Sequence, residues 1–291
     1  MNYLRHYGLR EPPFGITPDT SFFFACRSTQ EALNVLLVAV ANGEGFIKIT
    51  GEVGTGKTLL CRKFLRTIGP GHVTAYLPNP MLDPRGLFAA LAEELGLTVT
   101  AREDARLLLH AITRTLLDQA RNSRRVVLCL DEAQAMPTET LEALRLLTNL
   151  ETEKRKLLQV VLFGQPELDR RLAEAPVRQL AQRITFHYRL RGLDADEVGT
   201  YVAHRLVVAG YRGEPLFSDG ALAALHRASR GVPRLVNILA HKALLALFGE
   251  GGNRVERRHV RLAATDTPSA RPLAGWRAWI APGISRLRAS R

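Results

Sequence analysis

The sequence predicts an α/β fold, with a mostly parallel sheet covered by helices on both faces, followed by a small all-helical domain. Three observations carry this. Five short apolar or β-branched runs, Phe46–Thr50, Val73–Leu77, Val126–Leu130, Leu158–Phe163 and Ile184–Leu190, read as strands. Helical patterns at Lys57–Thr67, Pro84–Leu95, Asp104–Asn122 and Thr138–Leu150 alternate with them, the pattern of a parallel sheet joined by crossover helices. From Leu193 the strands stop, and Asp194–Ala209, Ser218–Ser229, Arg234–Phe248 and Arg257–Ala264 read as helices broken at Gly210, Gly231, Pro233 and the 249–252 glycine cluster.

Taken in order, residues 1–28 form an N-terminal segment rich in Pro and Phe, with Pro12, Pro13, Phe14, Pro18, Phe22, Phe23 and Phe24. Gln30–Asn42 is a helix because Leu33, Leu36, Leu37 and Val40 fall on one face. The α/β domain is expected over 29–192, the helical domain over 193–264, and a basic linker and tail over 265–291. Composition agrees with a globular chain: of 291 residues, 46% are hydrophobic and 23% charged, which excludes a disordered, collagenous or disulfide-stapled protein. Cys26, Cys61 and Cys129 form no C-x-x-C and leave an odd count, so a reducing compartment is expected, with Cys129 a buried thiol inside its apolar run. The N-terminus lacks the apolar stretch of a signal peptide and no segment approaches a membrane span, so a soluble cytoplasmic protein is expected.

Gly51-Glu52-Val53-Gly54-Thr55-Gly56-Lys57-Thr58 fits G-x-x-x-x-G-K-[ST] in full and lies between a strand and a helix, the context a phosphate-binding loop needs. The glycines let the backbone form a nest of N–H groups, and the helix N-terminus, with Leu59 in its first turn, adds positive potential. Lys57 is placed to reach the β- and γ-phosphates, and the Thr58 hydroxyl to join the shell of Mg²⁺. The strand Val126–Leu130 ends in Asp131-Glu132. Asp131 would hold Mg²⁺, directly or through water, and Glu132 would polarise the attacking water. Gln165, just past the fourth strand, is the candidate γ-phosphate sensor. Arg183, just before the fifth strand, is the candidate finger offered to a neighbouring subunit, and Arg234 in Gly231-Val232-Pro233-Arg234 the candidate sensor from the helical domain.

Together these motifs resemble the AAA+ ATPases. That resemblance implies a P-loop sheet of strand order 5-1-4-3-2, a helical lid, and ATP with Mg²⁺ as cofactors. Further stretches narrow it: Tyr7-Gly8-Leu9-Arg10-Glu11-Pro12-Pro13-Phe14, Thr17-Pro18-Asp19, the stretch Gly45 to Thr58, Leu130-Asp131-Glu132-Ala133-Gln134, Leu147-Thr148-Asn149-Leu150-Glu151-Thr152 and Phe163-Gly164-Gln165-Pro166-Glu167-Leu168. Over about residues 1–262 these are similar to the general secretion pathway protein A ATPases and the related MSHA pilus biogenesis protein M. The first of these carry a membrane span and a peptidoglycan-binding region after the ATPase, and a chain ending at Arg291 with neither points to the stand-alone MSHA type.

The resemblance implies an ATP-driven role in assembling a type IV pilus or type II secretion apparatus at the inner membrane. Self-association in an ATP-favoured oligomer goes with it. Related loops also occur in transposition-helper ATPases, so a DNA-binding regulatory ATPase is the alternative. Charge does not choose between them. The net charge is +12, and nine arginines against two acids fall in 251–291. Such a tail can meet nucleic acid, anionic lipid or an acidic partner. Trp276, Trp279, Ile280, Ile284 and Leu287 with Arg271, Arg277, Arg286, Arg288 and Arg291 suit peripheral contact of 271–291 with an anionic membrane, and equally packing of the tryptophans onto the lid.

Overall fold

The computed structural model describes residues 2–100, 103–151 and 156–273. In chain order the elements are α1 (Asn2–His6), α2 (Arg27–Ala41), β1 (Phe46–Gly51), α3 (Lys57–Thr67), β2 (His72–Leu77), α4 (Pro84–Glu94), α5 (Ala105–Arg121), β3 (Arg125–Leu130), α6 (Thr138–Thr148), β4 (Leu158–Gly164), α7 (Glu167–Leu172), α8 (Arg178–Ala181), β5 (Phe186–Leu190), α9 (Ala195–Val208), α10 (Asp219–Ser229), α11 (Pro233–Gly249) and α12 (Arg257–Thr265). Chain contacts divide them into two units, one of Thr17–Gly192 and one joining Met1–Ile16 to the chain from Leu193 onward.

The five strands of the first unit form one parallel sheet in the order β2-β3-β4-β1-β5, the order the AAA+ resemblance implies. Side chains alternate along a strand, so each strand feeds both faces. Val126, Leu128 and Leu130 of β3, with Val160 and Leu162 of β4, bury against Leu87 and Leu91 of α4, Ile112 and Leu116 of α5, and Leu141 and Leu144 of α6. Val127 and Cys129, with Val161, Phe163, Ile47 and Ile49, bury against Leu36 of α2 and Leu60, Cys61 and Phe64 of α3. Because both faces are covered, Val126–Leu130 of β3 and Val160–Phe163 of β4 are unbroken apolar runs rather than alternating ones. The cysteines are free and buried, Cys129 among them. Local chemistry sets the helix starts: the Asp83 carboxylate accepts from Gly86 N at 2.8 Å ahead of α4, and Asp104 accepts from Leu107 N at 2.8 Å ahead of α5.

Some elements differ from the sequence reading. The fifth strand begins at Phe186 rather than Ile184, because Ile184 N still donates to Ala181 O in the turn that leaves α8. The short helices α1, α7 and α8 span six residues or fewer, too few turns to leave a period in the sequence. Pro233 starts α11 instead of breaking it, since proline at the first helical position lacks only an N–H that has no helical partner there.

In the second unit the N-terminal Pro-Pro-Phe stretch is anchored on the C-terminal helices. Pro12 and Pro13 have no N–H to offer, so the stretch is gripped by its carbonyls. Buried Arg205 of α9 donates through Nε to Pro13 O at 2.5 Å and through Nη2 to Gly15 O at 3.1 Å. Asn237 Nδ2 of α11 donates to the same Gly15 O at 3.2 Å, and Phe14 meets Phe217 edge-on at 5.8 Å. Gly231 is held at φ 72 against Leu193, whose N–H donates to Gly231 O at 2.8 Å; an added Cβ would lie 1.9 Å from Leu193 O, so only glycine fits.

Arg205→Ala leaves those carbonyls without a charged donor and is expected to cost on the order of 3 kcal/mol of the anchoring. Hydrogen exchange checks it: protection over 3–16 should fall sharply while β3 and β4 keep theirs. Unchanged exchange over 3–16 would show that Arg205 is not the anchor. The residues 274–291, which include the tryptophans of the tail, lie outside the described residues. No helix among the described residues is long and apolar enough to cross a membrane.

Candidate nucleotide site

In a parallel sheet every strand ends at the same side, so loops after β1, β3 and β4 converge there. The register aligns Thr50 with Gly164 and Leu130 with Leu162, which brings Gly51, Asp131 and Gln165 to the same end of the sheet. The loop after β1 needs glycine at Gly54 and Gly56, with φ of 83 and 96. Gly51 is sterically fixed as well, because a Cβ there would lie 2.8 Å from Thr55 Oγ1. The Thr55 hydroxyl closes the loop by donating to Glu52 O at 2.9 Å. Val53 is exposed at the tip, and the Glu52 carboxylate meets Arg189 at 3.4 Å on the surface. Gly56 precedes the first turn of α3, whose leading N–H groups have no partner within the helix.

Lys57 is buried and folds back so that Nζ donates to Gly51 O at 2.8 Å and Glu52 O at 3.1 Å. Burial lowers its pKa, against the pull of Glu132, Asp131 and Glu52. Thr58 Oγ1 donates to Asp131 Oδ2 at 2.6 Å across 73 residues of chain. Asp131 is 2% exposed, and burial raises its carboxyl above the ordinary value although the Thr58 hydroxyl partly offsets this. The Tyr76 hydroxyl approaches the same carboxylate oxygen at 3.5 Å, and burial together with Asp131 pushes that phenol up to about 12. A carboxylate this poorly solvated beside a hydroxyl suits a cation. Among the described residues no cluster of three or more His, Cys, Asp or Glu forms a metal cage. The donor set of one buried carboxylate and the Thr58 hydroxyl fits Mg²⁺, which takes one or two carboxylates and completes its shell from phosphate and water.

Glu132 has a left-handed backbone, φ 53, unusual for a residue with a side chain. Its Oε2 accepts from Gln165 Nε2 at 3.1 Å and from Gln134 Nε2 at 2.5 Å. Burial pushes Glu132 up, but these two amides and the Lys57 charge outweigh it and leave the carboxyl below its ordinary value. A carboxyl held below its ordinary value is ionised at neutral pH.

A family model described as an AAA domain matches residues 40–172, from the end of α2 through α7. The chain is 42% identical over 274 residues to general secretion pathway protein A of Aeromonas hydrophila, a match that covers 94% of this chain and 50% of that protein. Over these residues the chain is similar to AAA-domain proteins. It spans about half the length of that relative.

Solved structures share the fold of this chain at low identity. Cdc6p from Pyrobaculum aerophilum superposes with TM-score 0.66 at 17% identity, covering 85% of this chain and 70% of that one. The Aeropyrum pernix ORC2 protein, in its ADPNP-ADP complexes, gives 0.62 at 17%, covering 86% and 72%. The Thermotoga maritima RuvB Holliday junction branch migration motor gives 0.53 at 18%, covering 82% and 67%.

Lys57, Thr58, Asp131, Glu132 and Gln165 thus come together within the first unit, and Arg183 of the same unit does not join them. Arg183 sits in the turn before β5, at the other end of the sheet, where Nη1 donates to Thr148 Oγ1 at 3.4 Å. Arg234 is exposed in the first turn of α11, in the other unit. The residue that sequence reasoning gave no role is Gln134. Its one signal was an amide two residues beyond the paired acids.

Proposed function

We propose that this chain couples ATP hydrolysis to assembly of a secretion or type IV pilus apparatus at the cytoplasmic face of the inner membrane. The observation that carries the nucleotide half is the convergence of Lys57, Thr58, Asp131, Glu132 and Gln165 at one end of the sheet. The similarity to general secretion pathway protein A favours the apparatus half.

In this reading the loop N–H groups and Lys57 hold the β- and γ-phosphates, which replace Gly51 O and Glu52 O as the partners of Nζ. Thr58 and Asp131 hold Mg²⁺. When bound, the cation neutralises charge on the phosphate oxygens. Glu132 takes the proton of the attacking water, and Gln165 orients that water with its amide. The helical domain acts as a lid that brings Arg234 to the nucleotide. Arg183 acts on the nucleotide of the adjoining subunit. The basic stretch 271–291 provides peripheral membrane contact.

Lys57→Ala removes the charged donor to the phosphates. Nucleotide affinity, read with a fluorescent ATP analogue, should fall about 10- to 150-fold, the equivalent of roughly 1.5–3 kcal/mol for hydrogen bonds to a charged group. A strain lacking the gene should then be complemented by the parent and not by Lys57→Ala, scored by exported enzyme and by surface pili. If both outputs persist in the deletion strain, the apparatus reading fails. In that event retardation of duplex DNA, weakening steeply with salt, would mark the regulatory alternative.

A further inference from the structure

The reading of Glu132 as the base leaves open what keeps it in register with Gln165, since the two stand on different strands. Gln134 lies in a single 3-10 turn, Ala133–Ala135, directly after Glu132. Its side chain is used at both ends. Nε2 donates to Glu132 Oε2 at 2.5 Å, and Oε1 accepts from the backbone N–H of Gln165 at 2.9 Å. The network forces this orientation of the amide, because a backbone N–H can only donate and an ionised carboxylate can only accept.

Gln165 closes the circuit by donating Nε2 to the same Glu132 oxygen at 3.1 Å. The Gln134 main chain is tied to the same segment, its carbonyl accepting from Arg171 Nη1 of α7 at 2.5 Å. Gly164 lies tight against Leu168, where a Cβ would come within 2.6 Å of Cδ2, and borders Gln134 Oε1 at an ordinary contact distance. One glutamine therefore spans the acidic end of β3 and the polar end of β4, supplying one donor and one acceptor without a charge.

We propose that Gln134 is a positioning residue for hydrolysis, fixing the Glu132 carboxylate and Gln165 relative to one another so that both meet one water. The two amides converge on Oε2, which reserves Oε1 for the proton. Gln134 touches no reacting atom in this scheme. Its loss should act on turnover and not on nucleotide binding.

The test is steady-state ATP hydrolysis by the full chain, with nucleotide affinity and thermal midpoint measured alongside. Gln134→Met keeps volume without either hydrogen bond, and kcat should fall about 10- to 100-fold, as for small displacements of reacting groups, with KM within about twofold. Gln134→Glu keeps an acceptor for the Gln165 N–H but sets a second carboxylate against Glu132, so it should lose at least as much turnover without a change in midpoint. Because both amides act through one oxygen, Gln134→Met combined with Gln165→Ala should lose less than the product of the single losses.

Parental kcat in both Gln134 variants, beside an inactive Glu132→Gln, would overturn the proposal and leave the base assignment standing. Multiplicative losses in the double variant would also overturn it. Parental turnover in Glu132→Gln is the different failure, that of the base assignment itself. Gln134→Glu keeps the question decidable if Gln134→Met does not fold.

Discussion

Glu132→Gln is expected to bind ATP as the parent does and to turn it over about 10²- to 10⁴-fold more slowly, the contribution a positioned general base makes. The substitution keeps the shape and the left-handed backbone position, and removes only the ability to accept a proton. Two effects compete. Gln134 and Gln165 each donate an amide to Glu132 Oε2, and a glutamine here can still accept one of them through its carbonyl oxygen. Nothing in the exchange disturbs Lys57 or Thr58, whose partners are Gly51 O, Glu52 O and Asp131. Binding and turnover therefore separate. Nucleotide affinity and phosphate release measured on the same preparation decide it, and release at the parental rate would mean that another group activates the water.

The legibility of this protein varied with how local its signals were. The strands and their crossover helices were readable because each buries two faces or one stripe, and burial leaves a period in the sequence. The loop at Gly51–Thr58 was readable because its chemistry is consecutive: glycines with φ of 83 and 96, then the lysine and the hydroxyl of the first helical turn. Gln134 was not. Its meaning lies in Gln165 N–H, 31 residues away, and nothing in the spacing says that an amide will bridge two strand ends. The grip of Arg205 on Pro13 and Gly15, across about 190 residues, was hidden for the same reason: one partner is a backbone carbonyl, which every residue has. The short helices α7 and α8 were too brief to show a period, although they place Arg171 against Gln134 and lead into the turn that carries Arg183.

Arg183→Ala is expected to lower turnover about 10³- to 10⁵-fold, the range measured for arginine fingers, while leaving nucleotide affinity near the parental value. β5 runs parallel to β1 with Ile47 opposite Phe186 and Gly51 opposite Leu190, so the phosphate loop follows one end of this strand pair and Arg183 precedes the other. At about 3.3 Å per residue the strand alone separates the two ends by about 13 Å, and Arg183 lies three residues further back. If it acts on a γ-phosphate, that phosphate belongs to another subunit. A purely structural role would rest on the contact with Thr148 Oγ1 at 3.4 Å, and Thr148→Val removes that contact while keeping the guanidinium. Thr148→Val should therefore hydrolyse ATP like the parent. Mixing Arg183→Ala subunits with Lys57→Ala subunits should restore part of the activity that each lacks, because an intact phosphate loop from one then meets an intact arginine from the other. Inactivity of the mixture, with mixed oligomers demonstrated by mass, would remove Arg183 from the catalytic machinery.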